Sequence, residues 1–226
     1  SDYKDIKRIM KSTKKIISFH SEDQYELNKR EKFIKRGDPK SHPKWRNESV
    51  CLICTKNLVK LAKLTKKQIH ILHITTAEEI ELLNKNKKYV SYEVTPQHLV
   101  LSSPSCYNKL GSLAQMNPPI RSVRHNKRLR QALRNNEIDI VGSDHAPHKL
   151  SEKKLEYPDS PSGMPGVQTL LPILLNEVSK KMISINNVVE LTSYNPINRF
   201  KIKNKGLIKK GYDADFTFVD LSKTKK

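Results

Sequence analysis

Three side chains of the types that bind zinc come at the ends of short apolar segments. His20 ends residues 16–20, His73 lies near the end of 70–74, and Asp144 follows 138–142. Imidazole and carboxylate groups are common zinc ligands, and bound zinc lowers the pKa of water to about 7. A single histidine on an apolar segment is more often a core residue, but three such residues in equivalent positions favour a metal-assisted hydrolytic site.

The segments before these residues have the character of buried parallel strands. Apolar residues are nearly continuous in 16–20, 70–74, 89–94 and 138–142, which is typical of strands covered on both faces. Helical patterns separate them, so we expect an α/β fold with a parallel sheet. The three candidate ligands then fall at the carboxyl ends of strands, where (β/α)₈ barrels place their chemistry.

Helices and loops are predicted between and after these strands. Thr76 and Glu79 have the spacing of a capping box, so a helix should begin there. The long segments 99–124 and 149–166 are predicted to be functional loops. Further helices are expected at 2–13, 48–64, 126–135, 167–180 and 186–192, and short antiparallel strands at 206–208 and 216–219.

Composition narrows the class of protein. Among 226 residues, Lys and Arg number 43 and Asp and Glu 23, for a net charge of +20. The basic residues are dispersed and form no nucleic-acid-binding motif, so we expect no nucleic-acid partner. Three cysteines without a disulfide pattern fit a reducing cytoplasm, and no apolar run is long enough to span a membrane. The Cys51–Cys54 pair has no second pair to complete a zinc site and is expected to lie on the buried face of a helix.

Seven short motifs resemble, in order, those of dihydroorotases in the amidohydrolase superfamily. The most specific are Ser-Asp-His-Ala-Pro-His at 143–148 and Met-Asn-Pro-Pro-Ile-Arg at 116–121. The resemblance extends from about residue 16 to residue 219. The remaining five motifs lie at 20–23, 73–78, 93–98, 161–163 and 211–215.

The resemblance implies a role for each candidate site residue. His20 and His73 would bind the more buried of two Zn²⁺ ions, and Asp144 would bind the other and act as general base and then general acid. A small-molecule substrate would be contacted by four further residues, namely Asn117, His148, Ser162 and Gly163. The implied reaction is the reversible hydrolysis of (S)-dihydroorotate to N-carbamoyl-L-aspartate in de novo pyrimidine (UMP) biosynthesis.

The resemblance also implies that part of the site is supplied from outside this sequence. Residues 1–198 would form the C-terminal half of the barrel, and 199–226 would be tail strands of a small β domain. The family's first-strand histidine pair and its bridging lysine or aspartate have no counterpart here. We therefore expect the chain alone to be inactive and to need an N-terminal half or a complementing chain; a homo-oligomer is also open.

The sequence is also compatible with other functions and with other roles for two of these residues. A hydantoinase or allantoinase would share the metal ligands, although the motifs at 116–121 and 143–148 favour dihydroorotate. A non-catalytic, dihydroorotase-like partner of aspartate transcarbamoylase is a third reading. Asn117 could simply cap a turn, and His145 could be structural.

Overall fold

Four parallel strands form the centre of the molecule. The computed structural model describes residues 2–223; Ser1 and 224–226, which the predicted domains include, lie outside the described residues. The strands are β1 (Ile17–Phe19), β2 (Ile69–Ile71), β3 (Val90–Val94) and β4 (Ile140–Val141), hydrogen-bonded in that order. Every pairing is parallel, with Ile69 of β2 opposite Ile17 of β1 and Val90 of β3. The predicted α/β class is confirmed; the eight-stranded barrel stays a prediction.

Twelve α-helices surround or follow this sheet within residues 2–223. They are α1 (Tyr3–Ser12), α2 (Gln24–Arg30), α3 (His42–Trp45), α4 (Glu48–Thr65), α5 (Ala77–Asn84), α6 (Pro96–Val100), α7 (Ser105–Leu110), α8 (Val123–Arg134), α9 (Leu150–Lys153), α10 (Val167–Ser179), α11 (Ile185–Val189) and α12 (Asn195–Phe200). Short 3₁₀ turns lie at Glu31–Phe33, Pro39–Ser41 and Gly111–Ala114, and a π-helical turn at Glu190–Tyr194. No helix in the described chain combines the length and apolar character needed to cross a membrane.

Local sequence accounts for the helix that leads away from the site. The Thr76 hydroxyl accepts a hydrogen bond from the Glu79 amide, and the Glu79 carboxylate accepts one from the Thr76 amide. This reciprocal capping confirms the predicted start of α5. The apolar faces of α4, α5 and α8 pack with the strands in one core that includes Leu58, Ile80 and Leu129.

Two predicted loops contain short helices. Residues 99–124 include the end of α6, all of α7 and the start of α8, while 149–166 includes α9. Helices of four to six residues are too short to show the periodicity by which a sequence predicts them.

The tail does not form the predicted strands. Residues 201–223 contain no strand, although 206–208 and 216–219 were expected to be strands. A strand needs a ladder of hydrogen bonds to a neighbouring backbone. Among the described tail residues, a single backbone hydrogen bond, from the Asp213 amide to the Asn204 carbonyl, joins residues more than three positions apart. The assignment of the tail to a small β domain stays a prediction.

Candidate active site

Two of the predicted metal ligands face each other at the carboxyl ends of β1 and β2. His20 Nδ1 lies 3.1 Å from His73 Nε2. The His73 side chain is buried, whereas that of His20 is 42% exposed. Pairing of β1 with β2 brings the two rings together, because each histidine follows its strand by one or two residues.

Glu22 and Arg46 fix the outer face of His20. The buried Glu22 carboxylate lies 2.9 Å from His20 Nε2 and accepts two hydrogen bonds from Arg46 Nε and one from an Arg46 terminal nitrogen. Burial alone would raise the pKa of Glu22, but the hydrogen bonds from His20 and Arg46 lower it to about 2. A carboxylate can only accept here, so the His20 proton lies on Nε2 and the Nδ1 lone pair faces His73.

This donor pair suits one metal ion. Two imidazole nitrogens bound tetrahedrally to zinc at about 2.0–2.1 Å are roughly 3.3–3.4 Å apart, slightly more than the observed 3.1 Å. A carboxylate that holds the outer nitrogen of a ligating histidine is the usual second layer of such sites. Within residues 2–223, no group of three or more ligand-type side chains is placed to hold a metal ion. Among the described residues, this pair could therefore supply two donors to a metal ion but not a full set.

Asp144 lies near this pair without joining it. Burial lowers the pKa of His73, as does neighbouring His20, while the Asp144 carboxylate acts in the opposite direction. His73 and Asp144 both have left-handed backbones, with φ of 34° and 42°. The structure thus puts Asp144 within electrostatic reach of His73 but not in one ligand group with it.

His148, Ser162 and Gly163 form a second group. His148 Nε2 lies 3.2 Å from the Ser162 carbonyl oxygen. Gly163 has a φ of 143°, and a Cβ there would lie 2.7 Å from the Ala146 Cβ and 3.0 Å from His148 Nε2. Only glycine therefore fits at position 163, where the loops that carry His148 and Ser162 meet.

Asn117 lies on a third segment that is tied to the second group. Its Oδ1 is 3.0 Å from Nε2 of the buried His42. Two residues earlier, the Gln115 side chain donates to Ser162 Oγ, and the Gln115 carbonyl accepts from the Gly163 amide. The buried Lys153 ammonium donates to the carbonyls of Gln115 and Pro161. Asn117 and the Ser162–Gly163 turn are therefore held in one framework.

Two other histidines have structural roles. His145 Nδ1 accepts hydrogen bonds from the amides of Gly166 and Val167 at the start of α10, consistent with the structural alternative. His98 Nδ1 contacts Thr95, and its Nε2 donates to the Pro118 carbonyl.

Sequence reasoning missed the residues that support the site. The motif at 20–23 contains Glu22 but does not indicate its contact with His20, and no motif includes His42. Arg46 and Lys153 are ordinary basic residues in a chain that is rich in them. The cysteines are free and buried, as expected for Cys51 and Cys54.

Comparison with known proteins places this geometry in a family. The model of the amidohydrolase family matches residues 2–226, and the chain belongs to that family. The likeness to dihydroorotases is confirmed: the chain is 37% identical to the dihydroorotase of Methanosphaera stadtmanae, over 95% of the chain and 51% of that protein. It is 36% identical to that of Pyrococcus horikoshii, over 97% of the chain and 48% of that protein. The chain thus spans about half the length of these relatives.

Solved structures support the fold. An L-hydantoinase from Arthrobacter aurescens superposes with a TM-score of 0.89 at 24% identity, over 95% of the chain and 51% of that structure. A D-hydantoinase from a Thermus species gives a TM-score of 0.88 at 23% identity, over 95% of the chain and 50% of that structure. At this identity the likeness concerns the fold alone.

Proposed function

We propose that this chain provides part of the active site of a zinc-dependent dihydroorotase. The reaction is the reversible hydrolysis of (S)-dihydroorotate to N-carbamoyl-L-aspartate, a step of pyrimidine (UMP) synthesis in the cytoplasm. The observation that carries the proposal is the facing pair of His20 Nδ1 and His73 Nε2, 3.1 Å apart, in a chain whose curated relatives are dihydroorotases.

Three residues of this chain would bind metal ions, and one of them would also transfer a proton. His20, His73 and Asp144 would contribute ligands to two zinc ions. When bound, zinc acidifies water and polarises a carbonyl group. Asp144 takes a proton from the attacking water and returns it to the ring nitrogen as the cyclic amide bond breaks. Asp144 is half-buried, so its side chain is partly accessible.

The substrate is held by the second group of residues. Asn117 and His148 provide hydrogen-bond donors for the ring or its carboxylate, and the backbone at Ser162 and Gly163 closes the pocket. Gln115 and Lys153 keep these segments in register with one another.

The remaining ligands come from outside this sequence. An N-terminal half or a complementing chain supplies them, and the chain alone is inactive. Two observations support this: the histidine pair is short of a full ligand set among the described residues, and the chain spans about half of its relatives.

The test is made on the native protein purified from its source. Its intact mass is compared with the 26.1 kDa of this chain, its zinc content is measured, and turnover of dihydroorotate is compared with that of hydantoin and allantoin. We expect bound zinc and a clear preference for dihydroorotate. A zinc-loaded protein that leaves dihydroorotate unchanged would refute the proposal; turnover of hydantoin or allantoin would then indicate another cyclic amidohydrolase, and no turnover a non-catalytic partner protein.

A further inference from the structure

His42 contacts the candidate substrate segment and is linked to His20 of the candidate metal pair through Arg46 and Glu22. It begins α3, and its side chain is buried. Its Nε2 is 3.0 Å from the Met116 carbonyl oxygen and 3.0 Å from Asn117 Oδ1. Neither the motifs nor the proposed reaction gives this histidine a role.

The Met116 carbonyl determines the tautomer of His42. A carbonyl oxygen only accepts hydrogen bonds, so Nε2 must carry the proton. Burial lowers the pKa of His42 to about 4, so the ring is neutral near pH 7 and has a single N–H. That N–H is shared between Met116 and Asn117, and the Asn117 atom that meets it must therefore be the oxygen.

The orientation of the Asn117 amide follows from this contact. With Oδ1 held by His42, the amide NH₂ points the other way. Within the described chain, Nδ2 has no hydrogen-bond partner, and it is not among the buried polar atoms that lack one. It is therefore a donor open to solvent whose direction is fixed before any ligand arrives.

The same framework reaches the metal pair. The Arg46 amide donates to the His42 carbonyl oxygen at 3.0 Å, and the Arg46 side chain holds Glu22, which holds His20. The ring of His42 also packs edge-on against Trp45 and Tyr157. The imidazole is thus fixed on both sides, so its N–H holds one direction.

We propose that His42 is a positioning residue that locks the Asn117 amide with its NH₂ toward the ligand, so that this wall of the cleft selects substrates presenting a carbonyl or carboxylate oxygen. The inference rests on the proposed function, because it takes Asn117 as a substrate contact. It adds a determinant of specificity that acts without touching the substrate.

The test compares five variants of the complete, zinc-loaded protein. His42→Gln retains an N–H donor near the position of Nε2, whereas His42→Leu has none. Asn117→Asp keeps an acceptor toward His42 but loses the NH₂, and the double variant His42→Leu with Asn117→Ala is compared with Asn117→Ala. KM and kcat for dihydroorotate are measured, with thermal melts to confirm that each variant folds.

We expect His42→Leu to raise KM on the order of tenfold with a smaller change in kcat, as for loss of one oriented hydrogen bond. His42→Gln should recover most of this loss, and Asn117→Asp should raise KM at least as much as His42→Leu. In the Asn117→Ala background, His42→Leu should add less than a twofold change.

Two results would overturn the role of His42. One is equal impairment of the Gln and Leu variants, and the other is an undiminished effect of His42→Leu without Asn117. If His42→Leu fails to fold, an unaltered KM in Asn117→Asp refutes the inference instead. Failure of the proposed function is separate, because it shows as an unaltered protein that is inactive on dihydroorotate. In that case the tautomer of His42 is measured by ¹⁵N NMR, and a proton on Nδ1 of His42 would overturn the inference.

Discussion

His73 and Asp144 both have left-handed backbones at the point where a parallel strand ends. Neither is glycine, so each conformation costs on the order of 1 kcal/mol and persists only because the surroundings impose it. The turn at His73 directs its ring toward His20, and Asp144 lies near enough to influence the pKa of His73. Strained residues of this kind cluster at functional sites, which supports the assignment of both.

Asp144→Asn tests the proposed proton carrier. The amide is nearly the same shape but cannot take up a proton, so we expect kcat to fall by about 10²- to 10⁴-fold. Steady-state turnover of dihydroorotate by the complete protein measures this. Asp139→Asn, which alters the Lys87 ion pair on the approach to β4, is the control and should leave kcat within a few-fold. Comparable kcat for Asp144→Asn and the unaltered protein would contradict the role.

Glu22→Gln tests whether the Glu22 carboxylate supports His20 as a metal ligand. The change leaves a half-buried Arg46 without its ion pair and weakens the orientation of the His20 ring. Loss of such a partner typically reduces metal affinity 10- to 100-fold. Zinc retention against a competing chelator should show this loss. Glu26→Gln removes an exposed ion pair with Lys29 on α2 and should retain zinc normally; equal retention by both variants would mean that Glu22 does not support the ligand.

His98 gives the protein a dependence of stability on acid. Burial lowers its pKa from 6.5 to about 3. Between these values the unfolded chain binds the extra proton and the folded chain does not, so this contribution to stability is lost as pH falls from about 6.5 toward 3. His98→Gln should flatten the decline in unfolding free energy between pH 6.5 and 4.5, measured with urea. Asn126→Ala serves as control, because it removes a side chain that does not ionise and that binds the His98 carbonyl, and it should leave the slope unchanged. An unchanged slope in His98→Gln would refute the argument.

Some side-chain contacts of the candidate site could be predicted from the sequence, and others could not. His20 and His73 could be predicted as neighbours, because both follow apolar segments that form adjacent parallel strands. The contact between Glu22 and Arg46 could not be predicted, because the two residues are 24 positions apart and the intervening segment has no periodic pattern. The orientation of Asn117 depends on His42, 75 residues away in sequence, and no local signal indicates that contact.

At the scale of elements, the proposed substrate contacts lie on two loops that are hydrogen-bonded to each other. Gln115 donates to the Ser160 carbonyl and to Ser162, and Lys153 at the end of α9 bridges Gln115 and Pro161. Strands and long helices of this chain were predictable from apolar runs and capping residues. The short helices inside the loops were not, because tertiary contacts such as these stabilise them.

Lys153→Met tests the hydrogen bonds by which Lys153 joins the two loops. Among the described residues, the buried Lys153 ammonium has no carboxylate partner, and burial lowers its pKa to about 8. Methionine fills similar space but leaves the Pro161 carbonyl unpaired, at a cost of about 1–3 kcal/mol. We expect a higher KM for dihydroorotate and faster proteolysis within residues 155–165, with kcat affected less. The exposed neighbour Lys154 provides the control, because Lys154→Met should change neither; matching behaviour of the two variants would exclude a bridging role.

At the scale of the whole molecule, the sheet has two edges. Within residues 2–223, β1 and β4 each pair on one side only, and open edges of this kind favour association with other chains. The tail adds apolar surface, with Ile208 90% and Phe218 95% exposed. These features match a chain whose relatives are about twice as long, and the sequence could indicate them only through the resemblance to that family.

The chain by itself should therefore self-associate at micromolar concentration. Burial of the exposed apolar side chains of the tail contributes roughly 25 cal/mol per Å², and the open sheet edges add backbone hydrogen bonds, so both features favour association. Light scattering with size-exclusion chromatography of the isolated chain should give masses above 26.1 kDa. Ile208→Ser with Phe218→Ser should reduce but not abolish association, because the strand edges remain, while Lys210→Ser on the same segment should change nothing. A monodisperse 26.1 kDa species would show instead that the open edges are protected within this chain, and would remove the physical argument for a completing segment.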